Sequence, residues 1–159
     1  MGSTWGQWMM NDPQFDSKTL LSSKYPAVRL AGLRQLYKSN WSSVSRQFER
    51  RRDRVARTLA PFRQELASVV STEKGDSDEA VALACRLAGY SLNRELVEPL
   101  RQLLSHDSWR VQEGAAIGLG LLGAKDRDRL EQLLDREIPE EPANLLDKNL
   151  AKEVEWASR

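Results

Sequence analysis

Apolar residues along this chain recur every three or four positions, the period of a helix with one buried face. The clearest stretch runs from Asn93 to Gly123. Leu96, Leu100, Leu103 and Leu104 form one helical stripe, Ser105–Ser108 interrupts it, and Val111, Ala115, Ala116, Leu119 and Leu122 form a second. This pattern predicts two apolar helices joined by a tight polar turn. Asn93 can cap the first helix, and Glu95 and Glu98 sit in its early turns, where the helix dipole favours anions. Asp107 or Ser108 can cap the second. Gly114, Gly118 and Gly120 each cost a helix roughly 0.8–1 kcal/mol against alanine. Such a cost implies a face pressed closely on a neighbour. Gly123 supplies the C-terminal stop.

The rest of the chain reads the same way. A short helix around Lys18–Ser22 and a turn at Ser23–Tyr25 lead to Pro26, which suits a first helical position. Val28, Ala31, Leu33, Leu36 and Tyr37 follow at helical spacing. Val44, Phe48, Val55, Leu59, Phe62, Leu66 and Val69 predict helices at about 42–59 and 61–71, separated at Pro61. After a loop at 71–77, Asp78–Gly89 is a further helix with Val81, Ala84, Cys85, Leu87 and Ala88 inward. Leu130, Leu133 and Leu134 mark a helix at 126–135, and an acidic, proline-bounded loop at 136–142 follows. Leu145, Leu146, Leu150, Val154 and Trp156 mark a closing helix at 143–158, read as a cap with a polar outer face. No segment alternates as a strand does.

The pair at 93–123 resembles a HEAT repeat, in its paired leucines, Asp107 in the turn, Val111, and AAIGLGLLG at 115–123. YPAVRLAGLRQL at 25–36 is similar to the second helix of such a repeat, with Val28 and Arg29 in the family's Val-Arg positions. Gln112 stands where the second motif would have that Arg, which commonly joins an Asp ladder between repeats. Val28 and Val111 lie 83 residues apart, which suggests two repeats of about 41, inside the usual HEAT range. The resemblance, to the phycobilisome-lyase HEAT-like and armadillo type of chain, implies an all-α, right-handed α–α superhelix of about four helix pairs over 17–159. Residues 1–16 would be an N-terminal arm or cap. It further implies a non-catalytic scaffold or adaptor that binds a protein. Relatives that attach bilins to phycobiliproteins, or chaperone them, offer a second reading. A HEAT-like nucleic-acid binder offers a third.

Composition narrows the chemistry. The net charge is +1, so no global pull toward nucleic acid or a membrane exists. One cysteine, Cys85, excludes an internal disulfide, and one histidine, His106, argues against a zinc site. Cys85 reads as a small packing residue and His106 as a turn residue bonding backbone. No cofactor is expected, no apolar run reaches the roughly 20 residues of a membrane span, and a cytoplasmic location is the default. The main chemical signal is arginine. Residues 46, 50, 51, 52, 54, 57 and 63 are Arg, against Glu49 and Asp53, so the segment nets +5. Residues 124–159 net −3.

In a HEAT-type solenoid the second helices line the concave side. Arg29, Arg34, Arg86, Arg110 and Gln112 are therefore expected to face solvent there, with Arg50, Arg51, Arg52 and Arg54 nearby. The expected partner is a protein with an acidic surface. The aromatic N-terminus, Trp5 and Trp8 above all, is the competing docking element. The oligomeric state is left open.

Overall fold

The computed structural model describes residues 16–45, 48–124, 127–135 and 144–159. Those residues hold helices and turns, with no strand among them. The helices are α1 (Ser17–Leu21), α2 (Pro26–Val44), α3 (Phe48–Leu59), α4 (Arg63–Val70), α5 (Asp78–Tyr90), α6 (Val97–Leu103), α7 (Trp109–Leu121), α8 (Arg127–Leu134) and α9 (Leu145–Ser158). A 3₁₀ turn at Ala60–Phe62 joins α3 to α4, so Pro61 does restart the helix. Another, at Arg94–Leu96, leads into α6, and Asn93 caps it through the Glu95 N–H. Pro26 is at the start of α2, Ser77 caps α5, and Asn144 caps α9. Ser108 occupies the N-cap of α7 without a side-chain bond to the helix. Gly123 takes a positive φ of 80° just beyond α7.

These elements form an all-helical solenoid of four pairs, with α2, α5, α7 and α9 as the second helices and α3 inserted before α4. The repeats are not evenly spaced. From Pro26 to Asp78 the step is 52 residues, and from Asp78 to Trp109 it is 31. The extra length of the first step is α3, together with the tail of α2. Asn40–Val44 continue α2, rather than opening the next helix as the apolar spacing suggested. The predicted arm at 1–16 lies, except for Asp16, outside the described residues, as does the acidic loop.

The closest contact in the fold is α5 on α7, and glycine makes it possible. A Cβ on Gly118 would stand 2.5 Å from the carbonyl oxygen of Cys85, and one on Gly114 2.9 Å from that of Ala82. A Cβ on Gly89 would stand 2.9 Å from the Gly118 Cα. The helix propensity lost at these glycines is offset by interhelical packing that any larger side chain would prevent. Gly120 does the same for α9, whose Ala157 Cβ would lie 2.6 Å from an added Cβ.

The second helices run parallel. The start of α7 meets the start of α9 at Arg110–Asp147, and their ends meet at Gly120–Ala157. α9 also touches α2 through Tyr37 and Trp41. The four inner helices therefore close on one another, and the concave side is filled by the chain itself.

Candidate functional site

Arg86 sits at the centre of this closed interior, with no exposed surface. It lies in the run VALACRLAG of α5, where every neighbour is apolar or small. Its Nη1 donates to Glu153 Oε1 of α9 at 2.7 Å and to the Leu146 carbonyl oxygen at 3.0 Å. Its Nη2 donates to Glu113 Oε1 of α7 at 3.0 Å. Tyr90 donates its hydroxyl to Glu153 Oε2 at 2.8 Å, and Tyr37 of α2 donates to Oε1. Asn149 Nδ2 in turn donates to the Tyr37 hydroxyl at 3.2 Å. One carboxylate thus ties two helices, α2 and α5, to α9, and Arg86 extends the network to α7 through Glu113. Burial opposes the Arg86 charge, yet Glu153, with Tyr37 and Glu113, carries its pKa above the ordinary arginine value. Burial, then the charge of Glu153, pushes the Tyr37 and Tyr90 phenols up. Both stay protonated and act as donors.

An aromatic cluster plugs the C-terminal end of the ring. Phe48 stacks on Trp156 at 4.6 Å and meets Tyr90 edge-on, and Trp41 lies 5.4 Å from Trp156. Phe48 begins α3, so this cluster fixes the inserted helix across the ring's end. Beside it the Arg52 guanidinium donates to the Leu121 carbonyl oxygen and lies 5.5 Å over the Phe48 ring. It satisfies a carbonyl at the C-terminus of α7, where a cation also favours the helix dipole.

The arginines expected to face a partner therefore separate into two sets. Arg29 and Arg86 do not face solvent. Arg29 is 2 % exposed and donates to Asp76 Oδ1 at 2.8 Å and to the Ser23 and Lys74 carbonyl oxygens. Asp76 stands two residues before α5, as Asp107 stands two before α7, so Arg29–Asp76 is a rung between successive repeats. Charges this deep persist only when paired, and pairing removes them from recognition. Arg110 is half-buried, forks onto both Asp147 oxygens at 3.2 Å, and lies over the Trp109 ring. Arg34, exposed, forks onto Glu79. Arg52 is half-buried at the end of α7, as above.

Arg50, Arg54 and Arg57 form the other set. They are exposed, with Arg51 half-buried beside them. At about 100° per residue, Arg50, Arg54 and Arg57 fall within roughly 60° of one another, opposite the buried Phe48, Val55 and Leu59. Among the described residues none of these four makes an ion pair or hydrogen bond. Asp53 is exposed next to the stripe and is unpaired too. Trp5 and Trp8 lie outside the described residues.

Cys85 is buried, and burial pushes its thiol up to about 12, against the weaker pull of Arg86. Such a thiol is inert. His106 accepts from the Ser108 N–H at Nδ1, and its carbonyl accepts from Gln112. No helix of the described residues is long and apolar enough to cross a membrane.

Sequence reasoning did not single out Glu113, Glu153, Asp147, Asn149 or Tyr90 as members of a buried site. A signal existed in α9, because Leu146, Leu150, Glu153 and Ala157 share one helical stripe. A carboxylate in that row, like Arg86 in its apolar run, marks a paired interior charge.

The repeat geometry has a counterpart in known proteins. Residues 64–143 match the family model for HEAT repeats. The chain belongs to the HEAT-repeat family. The match takes in α4 through α8, so the repeats recognised are those built on the glycine contact between α5 and α7. HEAT repeats are commonly protein-interaction scaffolds and generally non-catalytic. No curated protein and no solved structure matches the chain.

Proposed function

We propose that this HEAT-repeat protein is a non-catalytic scaffold that takes an acidic protein surface on the α3 stripe of Arg50, Arg54 and Arg57, flanked by Arg51. The observation that carries the reading is the contrast in pairing. Arg29, Arg34, Arg86 and Arg110 each hold a carboxylate. Among the described residues the four arginines on the outer side of α3 hold none. Arginine presents a planar fork suited to carboxylates, which lysine does not. Pinned by Phe48 and Arg52, α3 offers that fork from a fixed helix rather than a loose loop.

The test is charge reversal. Arg50→Glu with Arg54→Glu should weaken binding of a Glu-rich helical peptide roughly tenfold, since each exposed pair is worth about 0.2–1 kcal/mol and reversal adds repulsion. The loss should shrink between about 0.05 M and 0.3 M salt, followed by fluorescence anisotropy. The melting temperature should stay nearly unchanged. Equal peptide binding by parent and variant overturns the reading. Binding lost instead on Trp5→Ala with Trp8→Ala assigns docking to the N-terminal aromatics. Tighter binding of single-stranded nucleic acid than of the peptide assigns the stripe to phosphates.

A further inference from the structure

The outward side of α8 carries a second stripe, of opposite sign. Asp128 and Glu131, with Asp135 in the turn that closes the helix, are all exposed. They are spaced by three and then four residues, so they share one helical side, away from the buried Leu130. Among the described residues none of the three carboxylates makes an ion pair or a side-chain hydrogen bond. The described chain thus leaves unpaired both a row of guanidiniums on α3 and a row of carboxylates on α8.

The two rows fit each other in one orientation. Along α3 the intervals are four residues and then three, from Arg50 to Arg54 to Arg57. Read backwards along α8 they are again four and then three, from Asp135 to Glu131 to Asp128. Each row spans about 10 Å at 1.5 Å per residue. Laid antiparallel, Arg50 meets Asp135, Arg54 meets Glu131, and Arg57 meets Asp128. Laid parallel, the middle pair falls out of step. Within one molecule the rows do not meet, because α3 is held across the ends of α5, α7 and α9 while α8 packs on α7 and α9.

We propose that the acidic surface taken by the α3 stripe is the α8 stripe of a second copy of this chain, giving head-to-tail self-association. This inference rests on the reading of α3 given above and names its partner. The contact is heterologous: α3 of one molecule uses α8 of the next, and each molecule keeps one free end of each sign. Such contacts extend into open chains unless the rotation closes a ring. Three exposed ion pairs make a weak, salt-sensitive interface, of the small transient class.

Sedimentation velocity of the full chain tests this. At about 0.01 M salt, where the Debye length is ~30 Å, the weight-average sedimentation coefficient should rise with protein concentration, and at about 0.15 M the rise should fade. Arg54→Glu alone and Glu131→Arg alone should each abolish the rise. An equimolar mixture of the two variants should restore it, because Glu131 of one faces Arg54 of the other and the reversed pair is complementary again. The chain carrying both changes should also associate. Loss in each single variant without recovery in the mixture overturns the inference. So does an unchanged rise in Glu131→Arg. The peptide measurement on the α3 variant is independent of these outcomes. A chain that stays monomeric at low salt yet binds the Glu-rich peptide through Arg50 and Arg54 refutes self-association and leaves the binding reading standing.

Discussion

Glu153 has no exposed surface, yet it accepts from Arg86, Tyr37 and Tyr90. A buried ion pair contributes little net stability compared with an apolar pair of the same shape, but breaking one leaves a stranded charge. Glu153→Gln should therefore destabilise the protein by about 3 kcal/mol, the lower end for broken buried pairs, because Glu113 still faces Arg86. Arg86→Met combined with Glu153→Leu should cost less than the sum of the single changes, since both members of the pair are removed together and only Glu113 loses its contact with Arg86. Urea denaturation of the four proteins checks this, and simple additivity would mean that the two groups do not act as a pair. The apolar run around Arg86 marks an interior charge, but not which carboxylate pairs with it. Composition reports that a guanidinium is present, whereas its partner on α9 lies 67 positions away.

Among the elements, the contact of α5 with α7 is the tightest, and Gly118 limits it. Replacing Gly118 by Val brings side-chain atoms against the Cys85 carbonyl, which is backbone and cannot rotate away. The helices must separate, so the loss should be about 1–3 kcal/mol despite better helix propensity, read as a lower denaturation midpoint. The same change at Gly75, where an added Cβ meets nothing within 4 Å, tests a different term, because φ there is 68°. This close packing was anticipated from the glycine run at 114–120, since three costly residues on one helix demand a steric reason. The unequal spacing was not: in place of the expected even repeat of about 41, the steps are 52 and 31 residues. Two like motifs 83 residues apart permit any division of the interval, and the inserted α3 makes it unequal. The glycine contact and α3 also differ in role, one joining repeats and the other crossing the end of the ring.

For the molecule as a whole, closing the inner helices places three titratable groups where they resist ionisation. Cys85 is pushed up to about 12, and Tyr37 and Tyr90 are raised as well, in each case first by burial. A raised folded pKa contributes stability that is complete below the unfolded value and is lost as pH climbs through the folded one. Unfolded cysteine ionises near 8.5 and unfolded tyrosine near 10. Stability should thus hold up to about pH 8.5 and then fall, each group costing up to ~1.4 kcal/mol per pH unit inside its own window. Denaturation midpoints between pH 8 and 11 check this, and Cys85→Ala should flatten the first part of the decline. A midpoint constant to pH 11 would show that the ring opens readily to water.

Neighbours along the chain settle the local features. The 3.6-residue apolar period, Pro26, Asn93 and Gly123 specify helices and their ends. The leucine pairs and the AAIGLGLLG run specify HEAT-type pairing. The spacing of the arginine row on α3 and of the acidic row on α8 is equally local. Which charges are used inside and which remain outside depends on how the helices assemble. Arg52 and Arg110 look no different in the sequence from Arg50, Arg54 and Arg57. The difference is where a carboxylate or carbonyl from a distant helix arrives. The closure of α2, α5, α7 and α9, which fills the expected concave groove, follows from close approach at Gly118 and Gly120 and from the unequal repeats. Those are properties of the assembled helices, because burial makes an unpaired charge costly only once the surrounding water has been excluded.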